Sequence, residues 1–281
     1  MTIAICFDKN FQKWATVCLY SIWEKHKNGP KTRLIILSDI TYDQSIWQLK
    51  KVLEHFDYTF DNPGNDFDDM PTGYHFNVTT YWRLALPKVL SKYGIEKAIY
   101  LDTDTLVVDS LQELFNTNLN NKTCGGSLDI GSDKHVERMC LKQGFAINGG
   151  VLLMDIPKMN AIDWVSEANR LNEEGRIRWV DQDVLNILLD GKIKQIDLKW
   201  NMQTGHFLHK YPDKPAIVHF TMWADKKPWF TTFRHPFIPR VLDILLKNGF
   251  LALFVKIFSN YCRNKLKKKT SSFSKKYFGL H

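Results

Sequence analysis

The sequence predicts an α/β fold with a mostly parallel central sheet, and three observations carry that expectation. Short apolar runs alternate with segments of helical apolar spacing along most of the 281 residues. A hydrophobic content of 44% suffices for a full core, so one large domain, alone or with an appendage, is expected. The third observation is a pair of carboxylates, Asp102 and Asp104, at the exit of the apolar run 98–101. Open α/β sheets concentrate their chemistry at such carboxyl ends.

Taken in order, residues 3–7 read as a strand that ends in Asp8-Lys9-Asn10. Residues 11–27 have helical spacing (Trp14, Val17, Cys18, Ser21, Ile22) and stop before Asn28-Gly29-Pro30, and 32–38 is a second strand. A helix over 45–55, a short strand at 58–60 and a polar Pro/Gly/Asp-rich loop at 61–73 follow. Residues 81–90 are helical despite Pro87, whose ring and missing N–H conflict with a helix interior. After the strand bearing Asp102, the pattern predicts a short helix at 110–115, strands at 122–128 and 146–154, and helices at 163–172 and 183–189. No internal repeat is visible.

In an extended segment residues i and i+2 share a side, so Asp102 and Asp104 converge while Thr103 faces away. Two carboxylates held that close call for a cation or a proton between them. A helix-capping turn is the other reading of Asp-x-Asp, and flanking apolar residues disfavour it. Asp8 and Asn10 fit equally an N-cap and a binding pair at the sheet's carboxyl edge. No GxGxxG and no GxxxxGK[ST] follows the first strand, which excludes a dinucleotide fingerprint and a P-loop. The two glycines of Asn148-Gly149-Gly150 inside a strand signal either close approach of a ligand or backbone, or a β-bulge. Asp181-Gln182-Asp183 opens a helix and is a capping candidate. His219 ends an apolar strand; beside two carboxylates it would complete an O,O,N set suited to Mn²⁺.

Composition narrows the partners. The five cysteines (Cys6, Cys18, Cys124, Cys140, Cys262) form no CxxC and no zinc spacing, so reduced packed thiols of a cytosolic protein are expected. The N-terminus lacks the pattern of a signal peptide and reads as a first strand. Residues 238–281 hold ten Lys/Arg against Asp243 alone, a balance of +9 that leaves about −1 for the rest of a +8 chain. Within them Phe250, Leu253, Phe254, Ile257, Phe258 and Tyr261 form one helix face ahead of Lys265-Leu266-Lys267-Lys268-Lys269. That pattern predicts an interfacial anchor on an anionic membrane, with a helix packed on its own domain as the competing reading. Phe273 and Tyr277 could stack on bases, but no nucleic-acid module accompanies them, and no nucleic acid is expected.

These residues together resemble family 8 of the retaining, sugar-nucleotide-dependent glycosyltransferases, which includes bacterial lipopolysaccharide galactosyl- and glucosyltransferases and glycogenin. The likeness runs in order from Ile3 to about Trp229. It implies a single Rossmann-like, type A glycosyltransferase domain, taken as 1–237, ahead of the basic amphipathic tail 238–281 read from charge and spacing. It implies a UDP-hexose donor, Mn²⁺ with Mg²⁺ as the alternative ion, and a glycan or glycolipid acceptor. In that reading Asp102, Asp104 and His219 hold the metal; Asp8, Asn10, Arg83, Thr103, Asn148, Gly149 and Lys227 contact the donor; and Gln182, Asp181 and Asp129 form the catalytic region. The helix containing Thr79-Thr80-Tyr81-Trp82-Arg83-Leu84 would bring Arg83 to the donor sugar, and Lys227-Pro228-Trp229 would close the site. The chain departs from the family in having Met222-Trp223-Ala224-Asp225-Lys226 and no Gly before Lys227, so Lys226 and Lys227 compete for the phosphates. Gln182 is a poor nucleophile, which favours same-face attack, and a covalent role for Asp129 or Asp181 stays open. The site is expected at the inner, cytoplasmic face of a bacterial membrane, in surface-glycan synthesis. Two further classes fit parts of the pattern. One is a haloacid-dehalogenase-type phosphatase with Asp102 as nucleophile and Asp104 as acid/base; the other is a non-enzymatic membrane-binding protein.

Overall fold

The computed structural model describes residues 1–72, 77–208, 214–221, 227, 235–259 and 261–263. The first strand β1 (Thr2–Phe7), helix α1 (Gln12–His26) and strand β2 (Arg33–Ser38) form the expected βαβ unit. Helix α2 (Trp47–Leu53) and strand β3 (Asp57–Asp61) extend it, and a 3₁₀ turn at Val78–Thr80 leads into α3 (Trp82–Lys92). α3 continues through Pro87: burial of Leu84, Leu86, Pro87 and Leu90 outweighs a proline cost of about 3 kcal/mol.

Strand β4 (Lys97–Asp102) is followed by β5 (Thr105–Val107), α4 (Gln112–Asn116), β6 (Cys124–Leu128), α5 (Ser132–Met139) and β7 (Ile147–Asp155). Then come α6 (Ile156–Asn160), α7 (Trp164–Glu173), α8 (Val180–Leu188), β8 (Ile193–Gln195) and a second 3₁₀ turn at Leu198–Asn201. The described part of the chain closes with β9 (Met202–Gln203), α9 (Thr204–Leu208), β10 (Ile217–His219) and α10 (Ile238–Lys247), and with helical backbone at 251–259. α8 begins three residues earlier than the spacing predicts, so Asp181 and Gln182 lie within its first turn. The spacing predicts none of α5, α6, α9, α10, β5, β8 and β9; the strands among them are two or three residues long, and α6 and α9 five, too brief for a periodic signal.

The large sheet has the order β3-β2-β1-β4-β7-β6-β8, and its only antiparallel member among the described residues is β7. The α/β class and the mostly parallel sheet expected from the sequence are therefore observed. β7's reversed direction brings its first residues, not its last, to the carboxyl edge of β4, where Leu101 pairs with Val151. Near that edge two steps along β6, Gly126 to Leu128, match five along β7, Leu152 to Ile147. β7 thus bulges at Asn148-Gly149-Gly150, one of the two readings of the glycine pair. A smaller sheet, β5-β10-β9, lies beside the large one, with β10 antiparallel to β5 and parallel to β9.

Apolar side chains of the large sheet bury on both faces, against α3, α7 and α8 on one side and α1 and α2 on the other. A third cluster joins Trp14 and Val17 of α1 to Leu106, Val218 and five residues of α10, and also buries Phe250 and Ile257. Leu253, Phe254 and Tyr261 pack against the same cluster. The face read as a membrane anchor is therefore largely turned onto the protein itself, and of its six residues only Phe258 is exposed. Among the described residues no helix is long and apolar enough to cross a membrane. All five cysteines are unpaired, with Cys6, Cys18 and Cys124 buried. Lys265 to Lys269, Phe273 and Tyr277 lie outside the described residues.

Candidate active site

Asp102 closes β4, Thr103 and Asp104 make a turn, and β5 departs for the smaller sheet. The two carboxylates meet through this turn, not through alternation along one extended strand as the sequence predicts. The turn is required because β5 leaves the large sheet to pair with β10. That pairing sets His219 opposite Thr105, and the Phe220 N–H donates to the Asp104 carbonyl at 3.0 Å. One ligand atom each from Asp102, Asp104 and His219 lies within 4.8 Å of the others. The His219 Nε2 is 3.1 Å from Asp104 Oδ1 and 3.6 Å from Asp102 Oδ2. Two carboxylates and an imidazole converging at this spacing fit Mn²⁺ and, less well, the all-oxygen preference of Mg²⁺.

The carboxylates are held differently. Tyr100, two residues before Asp102 and on the same side of β4, donates its hydroxyl to Asp102 Oδ1 at 2.5 Å, and Arg83 Nη2 lies 3.0 Å from the same oxygen. Asp104 pairs through Oδ2 with the Lys227 ammonium. Burial alone would raise the Asp104 carboxyl, but Lys227 and His219 hold it well below the usual carboxylate range. Lys226, Pro228 and Trp229 lie outside the described residues.

Gly150 lies one step past the last β4–β7 pair, Leu101 with Val151, and close to Asp102. A Cβ there would run into the His219 imidazole and come within 2.8 Å of Asp102 Oδ2; at Gly149 it would lie 3.0 Å from Arg83 Nη1. The glycines therefore admit side chains of the chain itself as well as forming the bulge. Arg83 fills the space they leave: Nη1 donates to the Gly149 carbonyl at 2.5 Å, Nε to Thr80 O at 3.2 Å, and Nε also lies 2.6 Å from Asp181 Oδ2. Its guanidinium thereby bridges Asp102 and Asp181 over the Tyr100 ring, 4.9 Å away. Burial pushes the Asp181 carboxyl up to about 7 against the pull of Arg83.

A second group sits beside the bulge. Gln182 Oε1 accepts from the Gly149 N–H at 3.2 Å and from Asn148 Nδ2 at 3.1 Å, while its Nε2 donates to Asp129 Oδ2 at 3.1 Å. Asn148 Nδ2 also donates to Asp129 Oδ1, and His135 Nε2 lies 3.2 Å from Asp129 Oδ2. Gln182 is aimed by a strained corner: Val180, β-branched, has φ +38°. Asp183 holds that corner by accepting the Arg178 and Trp179 N–H groups, each at 2.8 Å, and by a two-pronged pair with Arg138.

At the edge of the site, Asp8 Oδ1 accepts the backbone N–H groups of Asn10 and Phe11, and Oδ2 accepts from Asn77 Nδ2 at 3.0 Å. Asp8 thus both caps the turn into α1 and anchors the segment that delivers α3, while Asn10 is exposed. Thr103 is buried in the Asp-x-Asp turn. Sequence reasoning passed over Tyr100, His135, Arg138, Asp183 as a clamp, and Asn201, whose Oδ1 lies 2.9 Å from His219 Nδ1. Strand alternation back from Asp102 would have found Tyr100; Asn201 gives no local signal.

A model of glycosyl transferase family 8 matches residues 2–232. General stress protein A of Bacillus subtilis is 24% identical over 84% of this chain and 90% of its own length. A putative glycosyltransferase of Haemophilus influenzae is 28% identical over 72% of this chain and 63% of its own. The lipopolysaccharide 1,3-galactosyltransferase of Salmonella typhimurium is 27% identical over 59% and 54%. Among solved structures, a galactosyltransferase LgtC in complex with donor and acceptor sugar analogs superposes at a TM-score of 0.75, with 23% identity and 87% of this chain covered, 95% of that one.

Proposed function

The chain belongs to glycosyl transferase family 8, and we propose that it moves a hexose, galactose or glucose, from a UDP-sugar to a hydroxyl of a glycan or glycolipid with retention of configuration. The observation that carries this reading is the Asp102, Asp104 and His219 cluster at the carboxyl edge of the sheet, within the matched region. Such a set would hold Mn²⁺, which supplies charge neutralisation to a departing diphosphate. The residues of the chain divide the remaining work. Lys227, paired with Asp104 beside the metal cluster, is assigned to the phosphates among the described residues. Arg83, Asp129, Asn148, Gly149 and Asp181 surround the space beside the bulge and are assigned to positioning the donor sugar. Asp8, Asn10 and Thr103 are assigned to the nucleoside end.

Gln182 is proposed to face the anomeric carbon. Its Oε1 accepts two hydrogen bonds, from Gly149 and Asn148, which leaves that oxygen no free lone pair for a covalent bond. This supports same-face attack through an oxocarbenium-like state, with the leaving phosphate receiving the acceptor's proton. The phosphatase reading of the same aspartates gains no support: Asp102 ends the fourth strand, and its Oδ1 is already held by Tyr100 and Arg83. A lipid-linked acceptor in lipopolysaccharide or other surface-glycan synthesis, with the protein resting on an anionic inner membrane, completes the proposal; the basic 238–281 segment supports it.

The test is a screen of UDP-sugars for UDP release with Mn²⁺ and no acceptor, in which UDP-galactose or UDP-glucose is expected to give slow hydrolysis. Asp104→Asn is expected to abolish release at millimolar Mn²⁺; near-normal turnover by that variant would sink the metal assignment. Phosphate release from simple phosphomonoesters, without hydrolysis of any UDP-sugar, would return the phosphatase reading.

A further inference from the structure

His219 has two ring nitrogens, and only one can meet the carboxylates. Its Nε2 faces Asp102 and Asp104, while Nδ1 lies 2.9 Å from Asn201 Oδ1. Which nitrogen carries the proton in a neutral ring is decided by what the other partner can do. Here the answer propagates from two backbone groups that cannot be exchanged.

The Gly150 N–H donates to Asn148 at 3.1 Å, so the atom it meets must be the amide oxygen, Oδ1. The Gly149 N–H likewise makes its Gln182 partner the oxygen, Oε1. Asn148 therefore turns its Nδ2 toward Gln182 Oε1 and Asp129 Oδ1, both acceptors, and presents Oδ1 to Asn201 at 3.0 Å. Asn201 must answer with its Nδ2. Its Oδ1 is then the atom left for His219, and an oxygen can only accept, so the proton sits on Nδ1. The Nε2 lone pair is then available to a cation held between His219 and the two carboxylates; only with such a cation in place can Nε2 face Asp104 Oδ1, itself an acceptor 3.1 Å away, without a proton of its own. Asn201 is fully buried, and its amide joins the 3₁₀ turn to β10 and β7 through His219 and Asn148.

We propose that Asn201 is a positioning residue that fixes His219 as the Nδ1–H tautomer and links it, through Asn148, to the Gln182 and Asp129 pair. Groups that hydrogen-bond the far nitrogen of a metal-binding histidine typically change metal affinity by about 10- to 100-fold when removed. The inference rests on the metal reading above.

Two measurements test it. Long-range ¹H–¹⁵N spectra of the wild-type protein with diamagnetic Mg²⁺ and UDP present, His219 being assigned by loss of its signals in His219→Gln, are expected to show a proton on Nδ1 and none on Nε2; a proton on Nε2, with or without one on Nδ1, would overturn the proposal. Mn²⁺ titration by electron paramagnetic resonance, with UDP present, then separates the roles. Asn201→Leu keeps volume and loses the acceptor, and its Mn²⁺ affinity is expected to fall about tenfold or more. Asn201→Asp keeps the acceptor and is expected to stay within about threefold of wild type, although it loses the donation to Asn148. Equal losses in both variants, or none in Asn201→Leu, would refute the assignment. If the wild-type protein itself binds no Mn²⁺, the metal reading fails instead.

Discussion

At the residue scale the site depends on what is missing at position 150 as much as on the groups around it. A methyl on Gly150 would overlap the His219 ring and crowd Asp102, and neither neighbour has room to withdraw: His219 is buried and held by Asn201, and Asp102 by Tyr100 and Arg83. Gly150→Ala is therefore expected to cut Mn²⁺ affinity and UDP-sugar hydrolysis by at least tenfold, at a stability cost of about 1–3 kcal/mol from overpacking. Isothermal titration with Mn²⁺ and urea unfolding measure the two effects, and wild-type affinity in this variant would sink the argument. Much of this was legible in the sequence. Asp-x-Asp, a downstream His and a Gly pair in a strand announce a cation site with close approach. Whether a ligand, a backbone or the chain's own side chains approach those glycines was not legible, because the answer requires knowing that β7 runs antiparallel beside β4.

At the scale of elements, α8 carries the least ordinary local structure. Its entry through Val180 at φ +38° costs of order 1–3 kcal/mol, and the Asp183 carboxylate opposes that cost by binding the two N–H groups just before it. Asp183 is buried at 1% exposure and balanced by Arg138, whose side chain is 23% exposed. Arg138→Ala leaves a buried carboxylate with backbone donors only. The loss is expected to be about 2 kcal/mol, below the usual cost of breaking a buried pair because water can reach the vacated side. With Gln182 less firmly aimed, kcat for UDP-sugar hydrolysis should fall while Mn²⁺ affinity stays constant, since the metal ligands lie on other elements. A loss of Mn²⁺ binding equal to the loss of kcat would show instead that the whole edge had collapsed. The sequence placed the helix but began it three residues late. Asp-Gln-Asp reads as a capping run, and a β-branched residue in the left-handed region has no signature in propensity.

On the scale of the whole molecule, the C-terminal segment shows what periodicity can and cannot decide. Residues 250–258 are apolar at all but one position, so the sequence holds two apolar stripes, and only packing selects which one the body covers. The structure turns Phe250, Phe254 and Ile257 inward and leaves Leu251, Val255 and Phe258, at i, i+4 and i+7, exposed. Single exposed apolar side chains are ordinary, but three at helical spacing, shortly before the basic run 265–269 in the sequence, make this second stripe the one to test for the proposed membrane contact. The full chain is expected to sediment with vesicles containing phosphatidylglycerol and not with neutral phosphatidylcholine, and the bound fraction should drop as salt rises from 0.1 to about 1 M and the screening length shortens. Leu251→Ser, Val255→Ser and Phe258→Ser together should release the protein from the vesicles with at most a small fall in its unfolding midpoint, because Leu251 and Val255 are exposed and Phe258, exposed too, gives up its stacking on Phe254. Undiminished sedimentation by the triple variant would place the contact elsewhere, on the lysines alone. A strongly destabilised variant would mean instead that this stripe, like its neighbour, packs against the protein.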